Sequence, residues 1–192
     1  MTSALCFCGL GNPGPQYQYT RHNLGFRAVE VLAAALDPRA SFSAHKSQAL
    51  ASQLKHQSLT LHFIKPQTFM NLSGQSLRAY CDYYRIPLEN IIVFHDELDF
   101  PNGALRLKKS GSSAGHNGLK DISRVFGSDL YWRVRSGIGR PIAQQSVSAY
   151  VLNALSAEEE RIWEQTQQLL IKGLPFLIEQ KAAALERLWH TS

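Results

Sequence analysis

His22, Asp96 and three asparagines, Asn12, Asn71 and Asn117, are the residues of this 192-residue chain whose types and surroundings could do chemistry. An imidazole with an ordinary pKa of about 6.5 can take a proton near neutral pH. A carboxylate beside it would fix its tautomer and stabilise the imidazolium. Carboxamides supply neutral donors and acceptors to a tetrahedral oxyanion without perturbing a base. Together they describe hydrolysis by activated water, with no nucleophilic side chain. Each residue also has a structural reading: an Asn can cap a helix or make a turn, and acids such as Asp96, Glu97 and Asp99 can form a solvated turn.

These residues sit in four segments that follow or precede regular elements. "GLGNPG" (9–14) follows the apolar run "ALCFCGL", a buried strand. Its G-x-G-x-x-G spacing matches a dinucleotide fingerprint, which requires a helix directly after the turn. Pro13 and Pro15 bracket Gly14 instead, and helical spacing starts only at Leu24 and runs to Leu36, so the dinucleotide reading fails. What the turn presents is Asn12, with His22 ten residues on.

"QALASQL" and "LTLHFIK" form a hairpin, "KPQTFMN" follows it, and Ser73–Tyr84 carries a helical stripe. "IIVFH" is a buried strand ending at "HDELD". "ALRLKKS" alternates like an edge strand, "GLKDISRVF" is a short helix and "YWRVRSGIG" another strand. His116 and Asn117 lie in a small-residue loop before that helix. The chain turns helical from Ser156, where Ser156 and Glu159 form a capping box, and Gly173 with Pro175 marks a break between two helices. Strands alternating with helices predict a single α/β domain over 1–192: a twisted mixed β-sheet flanked by helices. Ligands in such folds collect beyond the carboxyl ends of the strands, where these polar segments fall.

Composition narrows the setting. No apolar run reaches membrane-spanning length, and the first residues carry no signal-peptide pattern, so a cytoplasmic protein is expected. Cys6 and Cys8 point to one face of their strand and read as buried hydrophobes. No His or Cys set has metal spacing, so neither metal nor cofactor is expected. Residues 100–155 hold eight Lys and Arg against two Asp and Glu, a balance that fits a polyanionic partner or simply a solvated basic face.

The segments "GLGNPGPQYQYTRHNLGF", "KPQTFMNLSG", "HDELDFPNG" and "SSAGHNGLKDI", in this order, make the chain resemble the bacterial-type peptidyl-tRNA hydrolases over nearly its whole length. That resemblance implies a cytoplasmic, usually monomeric enzyme that cleaves the ester between a peptide and the 3′ ribose of tRNA. It makes His22 the general base and Asp96 its partner. It associates Asn12 with telling blocked peptidyl-tRNA from free aminoacyl-tRNA. Asn71, Asn117 and His116 fall among the substrate contacts. Tyr17, Phe69 and Met70 would line the groove, the aromatic rings able to stack on an unpaired base, while ordinary core packing is the alternative for Phe69 and Met70 and nothing in the sequence decides it for Met70. Lys108 and Arg135 match positions linked to the tRNA backbone. The loop before His116, often richer in glycine in that family, here carries Ser110, Ser112, Ser113 and Ala114.

Overall fold

A computed structural model describes residues 4–142 and 145–190. Seven strands form one mixed sheet: β1 (Ala4–Gly9), β2 (Ser43–His45), β3 (Ala49–His56), β4 (Leu59–Pro66), β5 (Ile91–Glu97), β6 (Leu105–Lys109) and β7 (Trp132–Gly137), in the order β2-β3-β4-β1-β5-β7-β6. The middle four are parallel, β1 lying between β4 and β5 and β7 pairing with β5. Antiparallel neighbours close both sides, β3 on β4 and β6 on β7. β6 is the edge strand that its sequence implies, although its burial declines from Leu105 to Lys109 without alternating.

The helices are α1 (Leu24–Leu36), α2 (Ser73–Tyr84), α3 (Asn117–Phe126), α4 (Val147–Leu152), α5 (Ala157–Ile178) and α6 (Ala182–His190). Period-two alternation in β1 divides the core. Leu5 and Phe7 face Leu32 of α1 and Leu170 and Leu174 of α5. Cys6 and Cys8 face Leu77 and Tyr80 of α2 and Ile122 of α3. The cysteines are thus buried free thiols in an apolar layer. Among the described residues, no helix is long and apolar enough to cross a membrane.

The break expected at Gly173 and Pro175 is absent, since α5 runs through both. A proline inside a helix costs about 3 kcal/mol. Leu174, Leu177 and Ile178 all bury there, at roughly 1.5–3 kcal/mol each, so continuing the helix wins. Gly173 has no side chain because Trp189 and Leu185 of α6 lie against it. The turn comes later, at Gln180, with φ 54°.

The start of α1 matters most for the site. A Cβ on Gly25 would lie 2.3 Å from the Phe94 carbonyl oxygen, so only glycine lets the helix press onto the ends of β1 and β5. The Phe26 amide then donates to the Leu10 carbonyl, and the Leu10 amide to that of Phe94. Gly9 and Gly11 of the opening motif serve this contact: Cβ atoms there would strike Gly25 and the Phe26 ring. The glycines therefore answer to helix–strand packing, and a 3-10 turn (Pro15–Tyr17), with no α-helix, follows them.

Arg21, on the 3-10 turn Arg21–Asn23 just before α1, ties that turn to the C-terminal helices. Its guanidinium meets both Glu159 oxygens at 2.9 and 2.7 Å, donates to the Tyr150 carbonyl and stacks over the Tyr150 ring. Glu159 also accepts from the Ser156 amide in the capping box that starts α5. Both side chains are only 11–12% exposed. Arg21→Ala leaves the partly buried Glu159 carboxylate without its cation and is expected to lower the unfolding free energy by about 1.5–3 kcal/mol. Urea denaturation checks this, and an unmoved midpoint would mean that the pair is energetically idle.

Candidate active site

Asp96 stands at the carboxyl end of β5, only 4% exposed, and two imidazoles converge on it. The His22 Nδ1 lies 3.0 and 3.1 Å from its two oxygens. The His116 Nε2 lies 3.0 Å from Oδ1. A carboxylate only accepts, so both nitrogens carry protons. His22 therefore keeps its single neutral-form proton on Nδ1. Its Nε2 is an open acceptor, and among the described residues nothing bonds it.

Electrostatics follow from this packing. Burial pulls the His22 pKa down, but the charge and hydrogen bond of Asp96 outweigh it, and the result lies above the ordinary histidine value. Burial likewise opposes ionisation of Asp96, yet the two histidines hold its pKa well below the usual carboxylate range. His95, next on β5, is different. Burial, then the neighbouring His116, lowers its pKa to about 3, so it stays neutral. Its Nδ1 donates to the Asp96 carbonyl at 2.7 Å, and its ring lies edge-on to His116.

Asn12 is held by Asn23, the residue after His22. The Asn23 Oδ1 accepts from the Asn12 amide and its Nδ2 donates to the Asn12 carbonyl, both at 2.9 Å. The Asn12 Oδ1 accepts from the Met70 amide at 2.8 Å, which fixes the carboxamide orientation. Among the described residues nothing bonds the other half, the Nδ2 donor. A cleft of about 300 Å³ opens beside Asn12 and runs past Phe26 to Lys65 and Gln67.

Asn71 and Asn117 are both solvent-exposed. Each follows a residue bonded into the centre, Asn71 after Met70 and Asn117 after His116. The two segments interlock, since a Cβ on Gly118 would fall 2.6 Å from the Met70 sulfur. Neither asparagine caps its helix: the cap of α3 is His116, whose Nδ1 accepts from the Leu119 amide at 3.4 Å. Phe69 is 59% exposed, as a stacking platform requires, and Tyr17 is half-buried. Met70 does not line the groove. Its side chain is buried against Leu10 and Leu119, and its contribution to the site is the amide on Asn12.

Lys108 is exposed on the edge strand β6. Arg135 is less free, because its Nε donates to Glu97 at 3.0 Å and its guanidinium lies over the Phe100 ring. Its remaining N–H groups leave phosphate contact possible. Arg133, beside it on β7, is buried and donates to the carbonyls of Ser112 and Gly111 at 2.7 and 2.6 Å. It supports the loop before His116, and part of the basic excess is therefore internal. Arg133, Asn23 and Arg21 are supporting residues that strand and helix patterns do not single out.

The donor atoms of His22, Asp96 and His116 lie within 4.8 Å of one another, the one such group among the described residues. They are already spent on each other. A cation between them would push the His22 proton onto Nε2 and the His116 proton onto Nδ1, closing the open base and breaking the α3 cap. The constellation is built for hydrogen bonding. It can orient one imidazole, leave Nε2 as a base, and offer the Asn12 amide donor nearby.

Comparison with known proteins finds relatives over nearly the whole chain. The sequence model of the family described as Peptidyl-tRNA hydrolase matches residues 6–192. A peptidyl-tRNA hydrolase of Methylobacillus flagellatus is 45% identical over 183 residues, which is 94% of this chain and 93% of that protein. One from Renibacterium salmoninarum is 42% identical over 191 residues, 98% of this chain and 92% of its own. Among solved structures, the crystal structure of peptidyl-tRNA hydrolase from Acinetobacter baumannii superposes with a TM-score of 0.89 at 32% identity, covering 98% of this chain and 95% of that one.

Proposed function

We propose, from the premise that this chain belongs to the peptidyl-tRNA hydrolase family and is a hydrolase of ester bonds, that His22 is the general base of the reaction. Its substrate is the ester joining an N-blocked peptide to the 3′ ribose of tRNA. The observation that carries the reading is the His22 tautomer: Asp96 takes Nδ1–H and leaves Nε2 to receive a proton. A water held at Nε2 loses its proton as it attacks the ester carbonyl. The imidazolium that forms stays paired with Asp96 and then protonates the departing ribose oxygen, releasing peptide and free tRNA. The Asn12 Nδ2 supports the oxyanion. Asn71 and Asn117 contact the peptide and the 3′ end from the rim, with Phe69 and Tyr17 stacking there. The products return tRNA and peptide for reuse after abandoned translation, in the cytoplasm, with the protein acting as a monomer.

Hydrolysis of N-acetyl-aminoacyl-tRNA beside unblocked aminoacyl-tRNA tests the reading. Rapid cleavage of the first and slow cleavage of the second is expected, and equal rates would overturn it. Lys108 and Arg135 serve the tRNA backbone in this account. Lys108→Ala is expected to raise KM for full-length substrate and to reduce the salt slope of binding by about one. A substrate carrying only the 3′-terminal nucleotides should be spared. Equal losses on both would place Lys108 elsewhere.

A further inference from the structure

His116 touches two parts of the site at once. Its Nε2–H donates to the Asp96 Oδ1, the same oxygen that lies 3.0 Å from the His22 Nδ1. Its Nδ1 caps α3, whose first residue is Asn117. The ring also lies against His22 on one side and His95 on the other, centroids 5.0 Å away in each case. With both ring nitrogens spent inside the protein, His116 has none left for substrate.

We propose that His116 is a positioning residue that restrains the basicity of His22 by sharing Asp96, while its other nitrogen fixes the start of α3 and so the place of Asn117. A buried carboxylate with one imidazole partner gives all its accepting power to that partner. The imidazole is then held protonated further up the pH scale, and a protonated ring cannot act as a base at neutral pH. A second donor on the same oxygen takes part of that power. The groups facing Asp96 are His22 from the turn before α1, His116 from the head of α3 and His95 from its own strand; Arg133 of β7 acts on His95. His95 stays neutral, so the balance lies between His22 and His116. The inference rests on His22 being the base, and the test separates the two.

His116→Asn is the informative variant. Asn is a favoured N-cap, so α3 keeps its cap while Asp96 loses one donor. Titration of the His22 imidazole by ¹⁵N NMR in the intact protein reads the effect without turnover. The His22 midpoint is expected to rise by roughly half a unit to one unit, and the acid limb of kcat/KM to move up with it. KM for N-acetyl-aminoacyl-tRNA should not change. In His116→Phe, which keeps a ring but no nitrogen, the midpoint should rise similarly, and the Asn117 amide signal should also shift as the cap is lost. An unmoved His22 midpoint in His116→Asn overturns the proposal, as does a raised KM with the midpoint unmoved. A midpoint that rises while the kcat/KM profile stays fixed would uphold the sharing of Asp96 and refute His22 as the base.

Discussion

Replacing His22 with Asn is expected to slow turnover of N-acetyl-aminoacyl-tRNA by about 10²–10⁴-fold and to leave the Kd for tRNA unchanged. A base earns its effect in the transition state, so the loss falls on kcat and on kcat/KM alike. The pH dependence should agree. The pKa of His22 is raised because Asp96 outweighs burial, so the acid limb of kcat/KM should have its midpoint above the ordinary value of about 6.5. Activity is lost as pH falls through that midpoint. Asp96→Asn should bring the limb down and slow the reaction, since an amide can donate to Nδ1 and force the wrong tautomer. Stability runs the other way. A group whose pKa is raised on folding contributes fully below its unfolded value, and the contribution disappears as pH rises through the folded one. The protein should therefore gain activity over the pH interval in which it loses this part of its stability. Undiminished turnover in His22→Asn would remove the imidazole from the mechanism.

Asn12→Asp should lower kcat/KM for the blocked substrate by about 10²–10³-fold and narrow its advantage over free aminoacyl-tRNA. The geometry says why this substitution is clean. The Asn12 Oδ1 accepts from the Met70 amide, and an aspartate oxygen can do the same, so the turn and the Asn23 clamp survive. Only the free Nδ2 donor is lost and a charge gained. A carboxylate repels a developing oxyanion and an acyl carbonyl, whereas it attracts the ammonium of the unblocked substrate. Parallel kinetics on the two substrates decide the matter. An unchanged ratio would leave Asn12 as a structural turn residue.

The regular elements were legible because their signals are local. Leu24–Leu36 carries its stripe within one segment, and α1 has those ends. Gly173 and Pro175 misled because the forces that keep α5 whole come from α6 and the core, distant in sequence. β2 and α4 are three and six residues long, too short for a period to show. In the site, residue types exposed His22, Asp96 and the asparagines, but not which atom of each is free. That the Asn12 oxygen is engaged and its nitrogen open depends on Met70, 58 positions away in the chain. His116 gave no sign of its two bonds for the same reason. For Met70 the resemblance implied a groove residue and its apolar type equally allowed core packing, and only its packing on Leu10 and Leu119 shows that its side chain turns inward.

The grip of Arg133 on the loop before His116 has a consequence for how that loop can vary. It holds main-chain carbonyls, which every amino acid carries, so at Gly111 and Ser112 the path is specified from β7, while Asp129 pins the loop's first turn through the Ser110 hydroxyl and the Gly111 amide. Ser112 and Ser113 are then free to drift, and a loop with serines can take the path of a glycine-rich one. The freedom stops at Ser110, Gly111, Ala114 and Gly115, whose φ angles of 66°, 109°, 47° and 84° favour small or flexible residues. Arg133 has no such latitude. A lysine could reach one carbonyl but not fork across two, so tolerance at Ser112 and Ser113 goes with intolerance at a buried position in the sheet.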